Sequence, residues 1–138
     1  MADASINPAL VHWSGRNGLP EFGKITEADF SPAFEAAFQL HETEIDEIAN
    51  NPDAPTFENT IVALEIAGDE LSRISAVFWN RAGADTNDAI QALERDISPK
   101  MSRHYSKIGM NEALFKRIDT LWETRGTLNL DLEQTRVL

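Results

Sequence analysis

The sequence predicts an all-α fold: an antiparallel bundle of four to five helices, preceded by an irregular N-terminal arm over residues 1–25. Three observations point to it. Apolar residues recur at alternating spacings of three and four through most of the chain after residue 33. Residues of the helix-capping type stand directly ahead of the periodic segments. The periodic segments are separated by short turn clusters such as Asn50-Asn51-Pro52 and Gly83-Ala84-Asp85-Thr86-Asn87.

Taken in order, the arm carries Pro8, Gly15, Gly18, Pro20 and Gly23, too much punctuation for an element of any length. Its apolar Val11, Trp13, Leu19 and Phe22 imply that it packs against something. The helical domain then runs over 26–138. Its first helix is expected to be capped by Ser31, with Pro32 at the first helical position, where a missing N–H costs nothing. Thr26 can open one earlier turn. Phe34, Phe38, His41, Ile45 and Ile48 share one face of this helix.

The second helix begins in "PTFENTIVALE", residues 55–65. Thr56 is placed as its N-cap and Glu58 puts a negative charge in the first turn, where the helix dipole favours one. Asn59 or Thr60 can add local bonds. The stripe continues through Phe57, Ile61, Leu64, Gly68, Leu71, Ser75 and Phe78. Gly68 makes a kink or break there an open question, because glycine costs about 1 kcal/mol against alanine inside a helix.

Thr86 or Asn87 caps the third helix, whose stripe is Ile90, Leu93, Ile97, Met101, His104 and Ile108. Pro99 lies inside it and is expected to bend or split it. Asn111 caps a fourth helix, with Leu114, Phe115, Ile118, Leu121 and Trp122 expected inward and Gly126 as a stop. Asp131 followed by Gln134 forms a capping-box signature for a fifth helix from about residue 132. That helix has only two turns before Leu138, which reads as a chain cut short; a natural terminal turn docked on the bundle is the alternative.

Composition narrows the function. The 138 residues fit one domain, burying roughly two-thirds of the surface exposed when unfolded. There are 23 acidic and 12 basic residues, for a net charge of −11, a poor match to a nucleic-acid backbone and to anionic membranes. Zero cysteines exclude disulfides, thiolate metal sites and a cysteine nucleophile. No apolar run approaches the roughly 20 residues of a membrane span, and "MADASINPALVHWSG" lacks the pattern of a signal peptide. A soluble cytoplasmic protein is expected.

Catalytic constellations are missing from the sequence. His41-Glu42 supplies the first half of a His-Glu-x-x-His zinc motif, but Ile45 replaces the second histidine. His41 and His104 both fall on apolar stripes and are expected to pack; His12 stands alone in the arm. Glu42, Glu44, Asp46 and Glu47 spread around their helix as a solvated face. No Glu-x-x-His occurs anywhere, so a di-metal bundle is excluded. Arg73 and Arg81 flank Phe78-Trp79, either as an interaction hot spot or as stems covering apolar surface.

The ordered series "NPAL…GLPEFGKITEADFSPAFEAAF", "EIDEIANNPDAPTFENTIVALEIAGDELSRISAVFWNRAGADTN" and "MNEALFKRIDTLWETRGTLNLDLEQTRVL" resembles the N-terminal region of the M3 family of zinc metallopeptidases, nearest its bacterial peptidyl-dipeptidase branch. The similarity runs from Asn7 to Leu138. Its most specific part is Thr56 to Asn87, with Phe57, Glu58, Asn59, Thr60, Leu64, Gly68, Leu71 and the Ala84-Asp85-Thr86-Asn87 turn in the family's order. The resemblance implies a largely helical enzyme of several hundred residues, its N-terminal helices forming part of the wall of a deep channel. It implies a zinc motif far downstream, so no catalytic, cofactor-binding or metal residue of the family carries over to this chain. The expectations are therefore an inactive, zinc-free fragment; oligopeptide substrates and a C-terminal catalytic domain for the parent; and bare apolar surface that a second copy could cover. A self-standing helical module docking partners around Phe78, Trp79 and Arg81 is the alternative.

Overall fold

The computed structural model describes residues 6–138; the first five residues of the arm lie outside the described residues. The fold is all-α, and no strand occurs among the described residues. The helices are α1 (Pro8–Val11), α2 (Phe30–Ala49), α3 (Ala63–Ile66), α4 (Asp69–Ala84), α5 (Asp88–Gly109), α6 (Glu112–Thr124) and α7 (Leu132–Val137). The chain divides into two compact units, Met1–His41 with Gly68–His104, and Glu42–Ala67 with Tyr105–Leu138.

In the first unit the arm is more regular than its punctuation suggested. Asn7 caps the single helical turn of α1 by accepting from the Ala9 N–H at 3.0 Å. Leu10 and Val11 are buried, whereas Leu19 and Phe22 remain exposed. Two arginines of α4 hold the arm. Arg73 donates to the Val11 carbonyl at 3.2 Å and its guanidinium lies 5.6 Å from the Trp13 ring centroid. Arg81 donates to the Ile25 carbonyl at 3.4 Å and pairs with Glu27, just past the arm, at 2.8 Å. The core is aromatic: Phe78 meets Phe30 and Phe34 edge-on, with centroids 5.1 and 5.5 Å apart. Such pairs contribute about 0.5–1.5 kcal/mol each beyond the area they bury.

The first long helix starts earlier than Ser31. Thr26 and Asp29 form a reciprocal capping box that opens a 3-10 turn over Glu27–Asp29, and α2 follows directly. Ser31 is consequently an internal residue. Pro32 stays tolerable because the first turn of a helix has N–H groups without intrahelical partners. Asn87, not Thr86, caps α5, accepting from the Ile90 N–H at 2.9 Å. That helix runs unbroken through Pro99, so of the two expected outcomes, a bend or a split, the split does not occur.

The second unit contains the opening stretch of the second predicted helix. Thr56 accepts from the Asn59 N–H at 3.0 Å, and Asn59 accepts from the Thr56 N–H at 2.8 Å. Phe57–Val62 winds as a π-helical segment before α3. A π turn adds a residue per turn, which shifts the buried face. Thr60 is fully buried, while Phe57 and Ile61, expected on the apolar stripe, are only half-buried. Gly68, placed in the first unit, ends the run with φ of +79°, so the predicted helix is broken there.

On α6 the inward face is Leu114, Arg117 and Leu121. Phe115 and Trp122, expected inside, are 64% and 46% exposed. The reason is Arg117: its guanidinium turns inward to satisfy backbone carbonyls, which rotates the two aromatic rings to the surface. Asp131 and Gln134 form the expected capping box of α7.

Candidate functional site

Two buried polar clusters are candidates, one in each unit. In the first unit α2 supplies His41 and α5 supplies His104, each from the apolar face of its helix. Both are buried, and Nε2 of His104 lies 3.0 Å from Nδ1 of His41. A hydrogen bond at that distance requires one ring to donate and the other to present a neutral acceptor nitrogen. Phe38 packs on His104 with centroids 4.9 Å apart. The Gly68 backbone approaches the other side of the pair: a Cβ there would fall 2.7–2.9 Å from His41 ring atoms. Sequence periodicity placed each histidine on a stripe but gave no sign that the two meet.

In the second unit the hub is Asn59. Its Oδ1 accepts from the Thr60 hydroxyl at 2.9 Å and from Arg117 Nη2 at 2.9 Å, besides closing the capping box. Its Nδ2 donates to the Ala54 carbonyl at 3.0 Å. Arg117 Nη1 donates to the carbonyls of Asn51 and Asp53 at 2.8 and 3.0 Å. The loop between α2 and the π turn is thus held by one buried guanidinium. The motif Phe57-Glu58-Asn59-Thr60 starts a helix, and its asparagine also locks that helix to α6. Sequence reasoning missed Arg117, because an arginine on an otherwise apolar face reads as a rim residue.

The remaining polar candidates are dispersed. Glu42 pairs with Lys107 at 2.7 Å, and that hydrogen bond raises the lysine's pKa above its ordinary value. Glu44 and Glu47 border a cleft of about 460 Å³ with Ile48, Asn51, Asn59 and Ile66. His12 is exposed. Phe78 is fully buried, and Arg81 is committed to Glu27 and the Ile25 carbonyl. Trp79 is 37% exposed and the Arg81 side chain is partly exposed, so the expected docking trio does not present all three residues to a partner.

Zinc, which the family resemblance implies, does not fit these residues. A zinc site takes three or four His, Cys, Asp or Glu ligands. Among the described residues no group of three or more comes together, and Nδ1 of His41 faces the other imidazole. No helix among the described residues is long and apolar enough to cross a membrane.

Both clusters join helices and loops through buried polar groups. The chain is similar to the dipeptidyl carboxypeptidase of Escherichia coli (strain K12), 37% identical over 134 residues. It matches the dipeptidyl carboxypeptidase of Salmonella typhimurium at the same identity. The matched region covers 97% of this chain and 20% of each relative. The chain is therefore a dipeptidyl carboxypeptidase-like sequence over almost all of its own length, and it spans about a fifth of the length of those relatives. No protein-family model matches it.

Proposed function

We propose that this chain is the N-terminal helical part of a zinc-dependent peptidyl-dipeptidase of the M3 type, with the reactive centre in the polypeptide that follows. The parent enzyme hydrolyses oligopeptides and releases dipeptides from their C-termini. Its zinc ion and general base belong to the following portion, and the helices described above contribute to the wall of the substrate channel. The observation that carries this reading is the 37% identity over 97% of the chain to proteins five times its length. The dispersed polar groups of the chain are consistent with a scaffold role. A cytoplasmic location belongs to the same reading and is tested by cell fractionation.

The test is to extend the reading frame past Leu138 and express the long polypeptide beside the 138-residue chain. The long form is expected to release C-terminal dipeptides from oligopeptides and to lose that activity with a chelator. The short form is expected to bind no zinc stoichiometrically and to cleave nothing. A stop codon at position 139 would overturn the proposal. So would chelator-sensitive peptidase activity that copurifies with the short form at constant specific activity.

A further inference from the structure

The second unit leaves large apolar side chains exposed while burying few. Its buried apolar residues are Ile45, Ile48, Ala49, Leu114 and Leu121, with partly buried Leu64, Ile108 and Ile118 packed around them. On its surface Met110 is 74% exposed, Phe115 64% and Trp122 46%. Phe115 and Trp122 lie seven residues apart on α6, on one face of the helix two turns apart. Met110 and Phe115 line a single groove of about 380 Å³ that also includes Gly109, Asn111 and Lys116. Fully burying one aromatic side chain removes roughly 150–250 Å² from water, so this face holds much unused driving force. A small unit with so thin a core is marginal by itself.

We infer that the Met110–Phe115–Trp122 face is an intramolecular interface, covered in the full-length protein by the polypeptide that follows residue 138. This rests on the fragment reading above and names the surface that reading requires. Three kinds of occupant could bury this face. A second copy would bring together two chains each carrying a net charge of −11, and self-repulsion opposes that association. An anionic lipid surface is disfavoured by the same charge. A segment of the same polypeptide needs no bimolecular encounter, since tethering raises its effective concentration. The relatives supply the length: this chain accounts for 20% of each of them.

The test uses the long polypeptide with any native cysteines replaced by serine. Single cysteines are introduced as Phe115→Cys and Trp122→Cys, and maleimide labelling rates are measured natively and in urea. Covered positions are expected to label at least ten-fold more slowly in the native protein, at every protein concentration. In the 138-residue chain, the same positions are expected to label within about two-fold of the urea rate. Native labelling of the long form within two-fold of its urea rate overturns the inference. Protection that appears only as concentration rises, with a dimer by light scattering, also overturns it and assigns the face to a second copy. Peptidase activity of the long form is measured in parallel. Activity without protection removes this inference and leaves the fragment reading standing, whereas absence of a longer reading frame removes both.

Discussion

Replacing Gly68 by alanine tests the close approach between the helix break and the histidine pair. Two costs combine. The backbone there has φ of +79°, and holding an L-residue with a Cβ in that left-handed region costs about 1–2 kcal/mol. The new methyl would also sit 2.7–2.9 Å from three His41 ring atoms. That ring is buried and bonded to His104, so it cannot swing away cheaply; overpacking of this kind costs about 1–3 kcal/mol. Gly68→Ala should therefore destabilise by about 2–5 kcal/mol. At the usual unfolding entropy per residue, a chain of this length loses about 3 °C of Tm per kcal/mol, so a drop of about 6–15 °C is expected. The assay is thermal and urea unfolding of the parent, Gly68→Ala, His41→Ala and the double variant. Removing the imidazole should relieve the steric part and leave only the backbone strain. The cycle should then show a coupling of about 1–3 kcal/mol. Additivity within about 0.5 kcal/mol, the behaviour of independent sites, would refute the proposed contact.

Other outcomes follow from the same geometry. Arg117→Met removes the donors of the Asn51 and Asp53 carbonyls and of Asn59 Oδ1; a loss of about 2–4 kcal/mol is expected in urea unfolding. Thr56→Ala deletes one half of the capping box and should cost about 1 kcal/mol. Pro99→Ala restores an N–H inside a helix that is continuous there; stabilisation of about 1–3 kcal/mol is expected, and a lower Tm would mean the helix has adapted around the ring. Glu27 has its pKa lowered from 4.5 by its own backbone N–H, then by Asn87 and by Arg81. A depressed carboxylate contributes stability that is present above 4.5 and disappears as pH falls through its lower folded value. Glu27→Gln should flatten the acid limb of the stability–pH curve below 4.5, and an unchanged limb would remove Glu27 as a contributor.

The elements were largely legible. Asn111, Thr56 and Asp131 each cap the helix they were expected to cap, and Asn87 does so as one of two candidates, because capping is decided within four residues of sequence. The failures are instructive. Ser31 looked like a cap, but Thr26 and Asp29 closed a box one turn earlier. The stripe of the second helix alternates spacings of four and three from Phe57 onward, and the π turn at Phe57–Val62 alters its phase. On α6, periodicity alone grouped Phe115 and Trp122 with Leu114 and Leu121. Arg117 chose the face, through carbonyls some 60 residues earlier in the chain.

By itself the sequence determined the helical class, most of the helix starts and the absence of an assembled His-Glu-x-x-His motif. These depend on short-range spacing and on which side chains are present at all. Only the tertiary structure decided that His41 meets His104, that Arg117 is internal, and that two aromatic rings of α6 face outward. Those outcomes turn on which buried polar groups find partners, a competition between residues far apart in the chain that no local pattern records.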